Sequence, residues 1–335
     1  MDRDSQLAYP DIYFEPSYAK LYEGNGSEAV EYRFESEYGL VSNLFMKRIV
    51  DVPGIGQSSY YDIVTPYGYG GPIIHRTTNR EKLIAAYMDD FFRYTARNNI
   101  VAEFVRFHPL LGNGVDFQAA YNATYDRKTV GTNLRYEDVI GTEFSKKKRK
   151  IIRKQLENPD IKFAIEENPK SLDDFIEVYY STMDRDGADD YYYFDKHYFD
   201  SLVSTLNRSL LTCKVFLKDK LIAMGIYFRY GKYLHAHLSG TLSDYLEYSP
   251  AYILKYALAV YGHAQGYEYI HYGGGSSRDE DNGLYQFKKE FGKNTIFDFY
   301  IAKKVWNPGV YRQICEAAEI DVDSEFFPAY KARNR

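Results

Sequence analysis

Apolar residues along this chain recur with two different periods, and the switches between them mark out strands and helices. Residues 29–36, AVEYRFES, alternate with a period of two, and 40–50, LVSNLFMKRIV, form a longer apolar run; both patterns predict β-strands. A further strand in 60–74, YYDIVTPYGYGGPII, is ended by Gly68, Gly70, Gly71 and Pro72. The spacing then lengthens. In 79–99, Leu83, Tyr87 and Phe91 stand at i, i+4 and i+8 behind Asn79, which predicts a helix with an asparagine N-cap. Strand 100–107, IVAEFVRF, follows and stops at His108-Pro109.

The second half repeats this logic. Residues 161–167 read as a strand and 171–183 and 196–206 as helices, while 210–241 breaks at Lys218-Asp219 and Gly231-Lys232 into three antiparallel strands. Ser249-Pro250 predicts an N-cap with proline at the first helical position, opening a helix that runs to Gly266. Strand 267–272, helix 283–292 and strand 294–306 complete the order β-α-α-β-β-β-α-β-α-β. Asn307-Pro308 then opens a closing helix. A Gly/Pro break, a helix and an aromatic strand occur once in each half, a weak internal parallel.

Length adds a domain count. A chain of 335 residues exceeds the size at which one core keeps growing, and 45% hydrophobic with 27% charged residues predicts packed globular domains. The N-terminal residues show no basic segment followed by an apolar run, and no window is apolar enough to span a bilayer, so no integral membrane segment and a cytoplasmic location are expected. Cys213 and Cys315 stand far apart, which supports neither a disulfide framework nor a zinc knuckle.

Charge is unevenly placed. The net charge is −5, yet Lys146 to Lys154, KKKRKIIRK, holds seven cations and no acid; without it 35 bases face 47 acids, a balance of −12. This run fits a tRNA-facing strip, a phosphate cradle, or an exposed helix with Ile152 and Leu156 turned inward.

The residues 272–275, YGGG, followed by 283–292, GLYQFKKEFG, resemble the FemA/FemB/FemX group of peptidoglycan-bridge aminoacyl transferases, a branch of the GNAT N-acyltransferases. The element order above is the GNAT arrangement. SYAK (Ser17 to Lys20), VRFHP (Val105 to Pro109), the basic run and STMDRDG (Ser181 to Gly187) extend the resemblance over nearly the whole chain. It implies an α/β fold with mixed sheets in two tandem GNAT-like domains, 1–140 with 304–335 packed back on it, and a catalytic 141–303.

The resemblance also implies roles. Lys20 matches the family lysine that holds the phosphates of a nucleotide-linked muropeptide, and Arg106, His108, Tyr67 and Tyr191 join it as acceptor-binding candidates. Two positions depart from the family: its bridge enzymes can place an aspartate where His108 stands, and an arginine where this chain has DDYYYF (Asp189 to Phe194). Losing that arginine removes a bidentate phosphate clamp. Lys288 matches the lysine of the family's F-K-x-x-F helix, which faces the reacting ester.

Acyl transfer to an amine needs an oriented carbonyl, a charge partner for the oxyanion, and an exit for a proton. Two splayed central strands, expected at 232–240 and 267–275, would receive the donor carbonyl. A two-residue period puts Tyr233, His235, His237 and Ser239 on one face, so His237 or His235 is a candidate base. The same pattern fits a solvated or hydrogen-bonded face, or an H-x-H metal pair lacking a third ligand. Lys288 above the glycines is the candidate point charge for an oxyanion or phosphate, while Lys289 turns about 100° away. Phe287 and Phe291, at i and i+4, are core positions.

Donor binding is expected at Tyr248, Ser249 and Ala251, at Gly273, Gly274, Gly275 and Phe287, and at Lys147, Arg149, Lys150 and Arg153. Coenzyme-A enzymes of this fold cradle pyrophosphate on a glycine-rich turn, and the turn SDYLEYSPAY (Ser243 to Tyr252) has no glycine, which favours aminoacyl-tRNA over acyl-coenzyme A. The expected function is N-acyl or N-aminoacyl transfer to an amine of a cell-envelope or metabolite precursor, a membrane-linked one included, with no tightly bound cofactor and no metal. Alternatives are an acyl-coenzyme-A-dependent N-acetyltransferase, a non-catalytic GNAT-like binding module, and a histidine-metal hydrolase.

Overall fold

A computed structural model describes residues 8–52, 59–189 and 193–332. In chain order the described strands and helices are α1 (Pro16–Lys20), β1 (Ser27–Ser36), β2 (Gly39–Ile49), β3 (Tyr61–Val64), β4 (Ile73–Thr77), α2 (Arg80–Arg97), β5 (Ile100–Arg106), α3 (Asn113–Asp116), α4 (Gln118–Tyr121) and β6 (Thr124–Asn133). There follow α5 (Val139–Glu143), α6 (Lys146–Leu156), β7 (Ile161–Glu167), α7 (Asp173–Asp186), α8 (Lys196–Leu206), β8 (Leu210–Leu217), β9 (Lys220–Tyr230), β10 (Tyr233–Thr241), α9 (Pro250–Ala264), β11 (Tyr269–Gly273), α10 (Gly283–Lys289), β12 (Ile296–Val305) and α11 (Pro308–Ala317). They form two compact units, one of residues 13–126 with 298–335 and one of residues 1–12 with 127–297.

In the unit containing residues 13–126, neighbouring strands run β1-β2-β3-β5-β12, and β4 also pairs with β2. Only β3 and β5 are parallel. Helix α2 lies against this sheet by the stripe its period predicts: Leu83, Tyr87 and Phe91 are wholly buried, and the Asn79 side chain accepts the Lys82 N–H at 3.1 Å. Tyr87 stacks on Phe91 with centroids 5.4 Å apart. Each such side chain contributes roughly 1.5–3 kcal/mol by leaving water. Buried Glu103 accepts from Asn43 at 3.3 Å and from the Trp306 indole at 3.0 Å, and burial still pushes its carboxyl up to about 7. Helix α11, capped by the Asn307 side chain on Val310 N–H, packs Tyr311, Ile314 and Cys315 on Val101 and Ala102 of β5.

The other unit orders its strands β6-β11-β10-β9-β8-β7. Three antiparallel contacts join β7 to β10, β10 and β11 run parallel, and β11 is antiparallel to β6. Helices α7 and α9 both pack on these strands, and the order β7-α7-α8-β8-β9-β10-α9-β11-α10-β12 is the one the patterning predicts. Strand β6 is not among those predicted. Its TYDRKTVGTN sequence is mostly polar, and its last part, Val130 to Asn133, finds its ladder partners on β11.

Helix α9 buries Ile253, Leu254, Ala257, Leu258 and Gly262. A Cβ at Gly262 would lie 2.7 Å from Leu134 Cδ1 and 2.9 Å from Leu234 Cδ1, so the glycine permits the close approach of helix and sheet. The start of this helix differs from expectation. Ser249 occupies the N-cap position, but its φ of 52° is left-handed and its side chain makes no capping bond, so Pro250 alone carries the predicted signature.

Candidate active site

Strands β10 and β11 pair in parallel at three positions, Tyr233 with Tyr269, Leu234 with Ile270 and His235 with His271. Beyond them no described pairing joins the two strands, which leaves the β11-facing edge of β10 open. On its other edge β10 pairs with β9, with one irregularity: Ala236 faces Tyr227 and Leu238 faces Ile226, so His237 is an extra residue.

That bulge decides which side chains share a face. Paired residues point to the same side of a sheet, so Ser239 (opposite Gly225) and Thr241 (opposite Ala223) share the Tyr227 face. His235, opposite Phe228, lies on the other. The single face expected for Tyr233, His235, His237 and Ser239 is therefore corrected, because one inserted residue reverses the alternation after position 236.

A cavity of about 570 Å³ opens on the Tyr227 face, lined by Tyr227, Thr241, Ser249, Ala251, Lys255 and Phe287 among others. The strand end above it is held by α7: Thr241 N–H donates to Thr182 Oγ1 at 2.8 Å, and Arg185 donates to the Thr241 carbonyl at 3.1 Å. Helix α9 enters with Ser249 and Ala251 and supplies Lys255 one turn further on. Lys255 is only 7% exposed, and its ammonium stands 4.3 Å from the Tyr272 ring centroid. Burial pushes its pKa down to about 8.

The glycine run closes the neighbouring side. Gly273 adopts φ +76°, which suits glycine, and a Cβ at Gly275 would stand 2.5 Å from Asn282 Oδ1. That Asn282 oxygen caps α10 by accepting from Leu284 and Tyr285 N–H at 3.1 and 3.2 Å. Lys288 Nζ donates to the Gly274 carbonyl at 2.6 Å, and the Arg127 guanidinium donates to the Gly275 carbonyl at 3.1 Å. Room at the glycines is thus used by the protein's own side chains. Burial, and secondarily the charge of nearby Lys255, push Lys288 down to about 7. Phe291 is fully buried and Phe287 half-buried, with ring centroids 5.3 Å apart.

The two histidines are placed elsewhere. His235 is fully buried with Nε2 2.7 Å from Asp11 Oδ2, and His237 Nε2 lies 2.7 Å from the Tyr198 hydroxyl with its ring against Phe228. Burial lowers the His237 imidazole to about 3. Neither histidine lines the cavity, whereas Ser249, Ala251 and Phe287 do.

The basic run forms α6, with the Ser145 side chain accepting Lys148 N–H and Ile152 and Leu156 turned into the core. Lys147, Lys150 and Arg153 are exposed. Arg149 and Arg153 line a second cavity of about 450 Å³ together with Asp138, Glu157 and Tyr256. Lys148 instead reaches Tyr252, a lining residue of the larger cavity. Tyr248, expected beside Ser249, packs on the core of this unit rather than lining that cavity.

In the unit of residues 13–126 the structure gathers part of the acceptor set. Arg106 donates to the carbonyls of Thr65 and Pro66 at 3.2 and 2.7 Å, and the Tyr67 carbonyl accepts from Tyr18 at 2.6 Å. Buried His108 packs among Tyr13, Phe14 and Tyr69, and its Nδ1 accepts Leu111 N–H. Lys20 is exposed at the end of α1, two residues after Tyr18. Tyr191 lies outside the described residues.

Lys255, Tyr227, Tyr252 and Lys148 are absent from the residues predicted from sequence. A signal existed for the first: Lys255 is the one cation in AYILKYALAVYG, where a helix otherwise apolar on its inner face invites a question about that lysine. The hydroxyl of Tyr227 had none.

Residues 143–289 match the family profile of the acetyltransferase (GNAT) domain. Among solved structures, FemX is 13% identical with a TM-score of 0.67, covering 91% of this chain and 94% of its own. The C-terminal domain of a putative lysylphosphatidylglycerol synthetase from Agrobacterium fabrum is 15% identical, TM-score 0.53, covering 86% and 88%. L-PGS from Bacillus licheniformis is 14% identical, TM-score 0.51, with the same coverage. No curated protein matches the chain. The fold is that of FemX, an α/β architecture with mixed sheets, and the GNAT match lies within residues 143–289. Among the described residues no helix is long and apolar enough to cross a membrane.

Proposed function

We propose that the chain is an N-acyltransferase that moves an acyl or aminoacyl group from an activated carrier to an amine of a cell-envelope or metabolite precursor. The observation that carries this reading is the open fork between β10 and β11, beside a cavity holding Lys255, with Lys288 close enough to feel its charge. In the reaction, the acceptor nitrogen attacks the donor carbonyl and a C–N bond forms. The ester C–O or thioester C–S bond breaks, the carrier leaves with the electron pair, and the ammonium proton passes to water or the carrier. Lys288 is the cation for the developing oxyanion, supplied by a helix locked by Asn282.

Two features favour aminoacyl-tRNA as the carrier: the glycine-free turn at the start of α9 and the acid-free face of α6. Likeness in fold to a putative lysylphosphatidylglycerol synthetase is in keeping with aminoacyl transfer. The test is amide formation with a panel of charged tRNAs, with and without ribonuclease, beside a panel of acyl-coenzyme-A esters. Ribonuclease-sensitive product is expected. Transfer from a thioester that ribonuclease leaves untouched would assign the same scaffold to an acyl-coenzyme-A enzyme, and no product from any donor would overturn the reading.

A further inference from the structure

Lys255 and Tyr227 present an unanswered pair of donors to one cavity. Tyr227 is 1% exposed, and its buried hydroxyl has no hydrogen-bond partner among the described residues. The Lys255 ammonium has neither hydrogen bond nor ion pair among the described residues; it stands over the face of Tyr272 and near the Cys213 thiol, a weak acceptor. The other cation in the cavity is different. Arg185 sits 3.3 Å from Asp186 and donates to Thr241 and Ser243. A buried ammonium and a buried hydroxyl left without hydrogen-bond partners are both unfavourable, so a cavity lined by both is suited to something that supplies acceptors.

We propose that Tyr227 and Lys255 form a subsite for the carboxylate of an acidic transferred group, so that the donor's acyl or aminoacyl moiety ends in a carboxylate. This rests on the acyl-transfer reading above for the identity of the donor. One ammonium and one hydroxyl match the two oxygens of a singly charged carboxylate. Leu246, Leu254, Leu284 and Phe287 supply apolar walls that suit a short aliphatic stem and leave a phosphate dianion poorly compensated. The bulge at His237 is what turns β10 so that Thr241 joins Tyr227 on this side. Burial already lowers Lys255 to about 8, and a bound anion would restore its charge.

The proposal is tested by direct binding, which needs no turnover. Succinyl- and acetyl-coenzyme A form one pair of probes, and glutamyl- and alanyl-tRNA the other. The wild-type protein should bind the acidic member of at least one pair about 10- to 100-fold more tightly, the range expected for hydrogen bonds to a charged group. Lys255→Met and Tyr227→Phe should each erase most of that preference and leave the neutral member's affinity unchanged. Met at 255 removes a buried charge and so should fold; if it does not, Tyr227→Phe carries the test alone. Absence of preference in both pairs overturns the subsite. Equal weakening of acidic and neutral members in Lys255→Met also overturns it, since the anion would then be a phosphate of the carrier. A preference that persists without product from any donor supports the subsite and sinks the transfer reading.

Discussion

The Lys148 ammonium donates to the Tyr252 hydroxyl at 2.9 Å and lies 4.2 Å from the same ring's centroid. The basic helix thereby touches the wall of the large cavity, since Tyr252 also packs beside Phe287 and Phe291. The remaining cations of α6 face solvent or the smaller cavity. If they follow tRNA backbone phosphates, affinity falls with salt at a log-log slope of about −0.7 per contact on a single strand. Reversing the exposed Lys146, Lys147 and Lys150 to Glu should flatten that slope and shift the unfolding midpoint little, as expected for surface cations. Binding titrations across a salt series check this, and a flat slope in the wild type removes tRNA from the reading.

Lys288 offers the most direct test of chemistry. Lys288→Met should keep the fold, read by circular dichroism, and lower kcat about 100-fold, the loss typical of a missing preorganised donor. Because burial holds this lysine at about 7, the charged form declines above that pH, so the wild-type rate should carry a falling limb that the variant lacks. Unchanged turnover in the variant would remove Lys288 from the mechanism.

His235 and Asp11 make a buried contact on the sheet face away from the cavity. A histidine base would impose an acidic limb near its ordinary pKa of roughly 6.5. We expect His235→Gln and His237→Gln to keep the wild-type pH profile, while Asp11→Ala costs about 1–3 kcal/mol of stability by removing a buried contact to the His235 imidazole. Urea denaturation measures the second effect. A limb flattened in either glutamine variant would return that histidine to the chemistry.

Two lysines with lowered pKa values also predict how stability varies with pH. Lys255 and Lys288 titrate near 8 and 7 in the fold but near 10.5 when unfolded, so between those values the unfolded chain binds more protons. Stability should therefore rise with pH from about 7 to 9, by roughly 1–3 kcal/mol. Folded tyrosines with raised pKa values act above this window, and Glu103, raised to about 7, acts mainly below it and opposes the rise slightly at its lower edge. Denaturation of the Lys255→Met, Lys288→Met double variant at pH 7 and 9 should show most of the rise gone. An equal rise in the variant would show that these lysines are not its source.

Much of this protein is legible in local spacing. The strands and helices that alternate apolar residues at two or 3.6 positions appear where their sequences predict, and Asn79 and Asn307 cap the helices they precede. Lys288 beside the glycines was legible too, because lysine, glycine run and capped helix lie within a few residues of one another. Other features depend on partners far along the chain. The last part of strand β6 finds its ladder partners on β11, the unit boundaries fall within β6 and β12 where composition does not change, and Lys255 meets the Tyr227 face only when α9 folds over β9. The bulge at His237 matters most. A period of two assigns Ser239 to the histidine face, but one residue that β9 leaves unpaired reverses every side chain after it. Local sequence sets how a segment repeats, whereas register, burial and the burial-driven pKa values of Lys255 and Lys288 arise from neighbours that only the tertiary fold brings together.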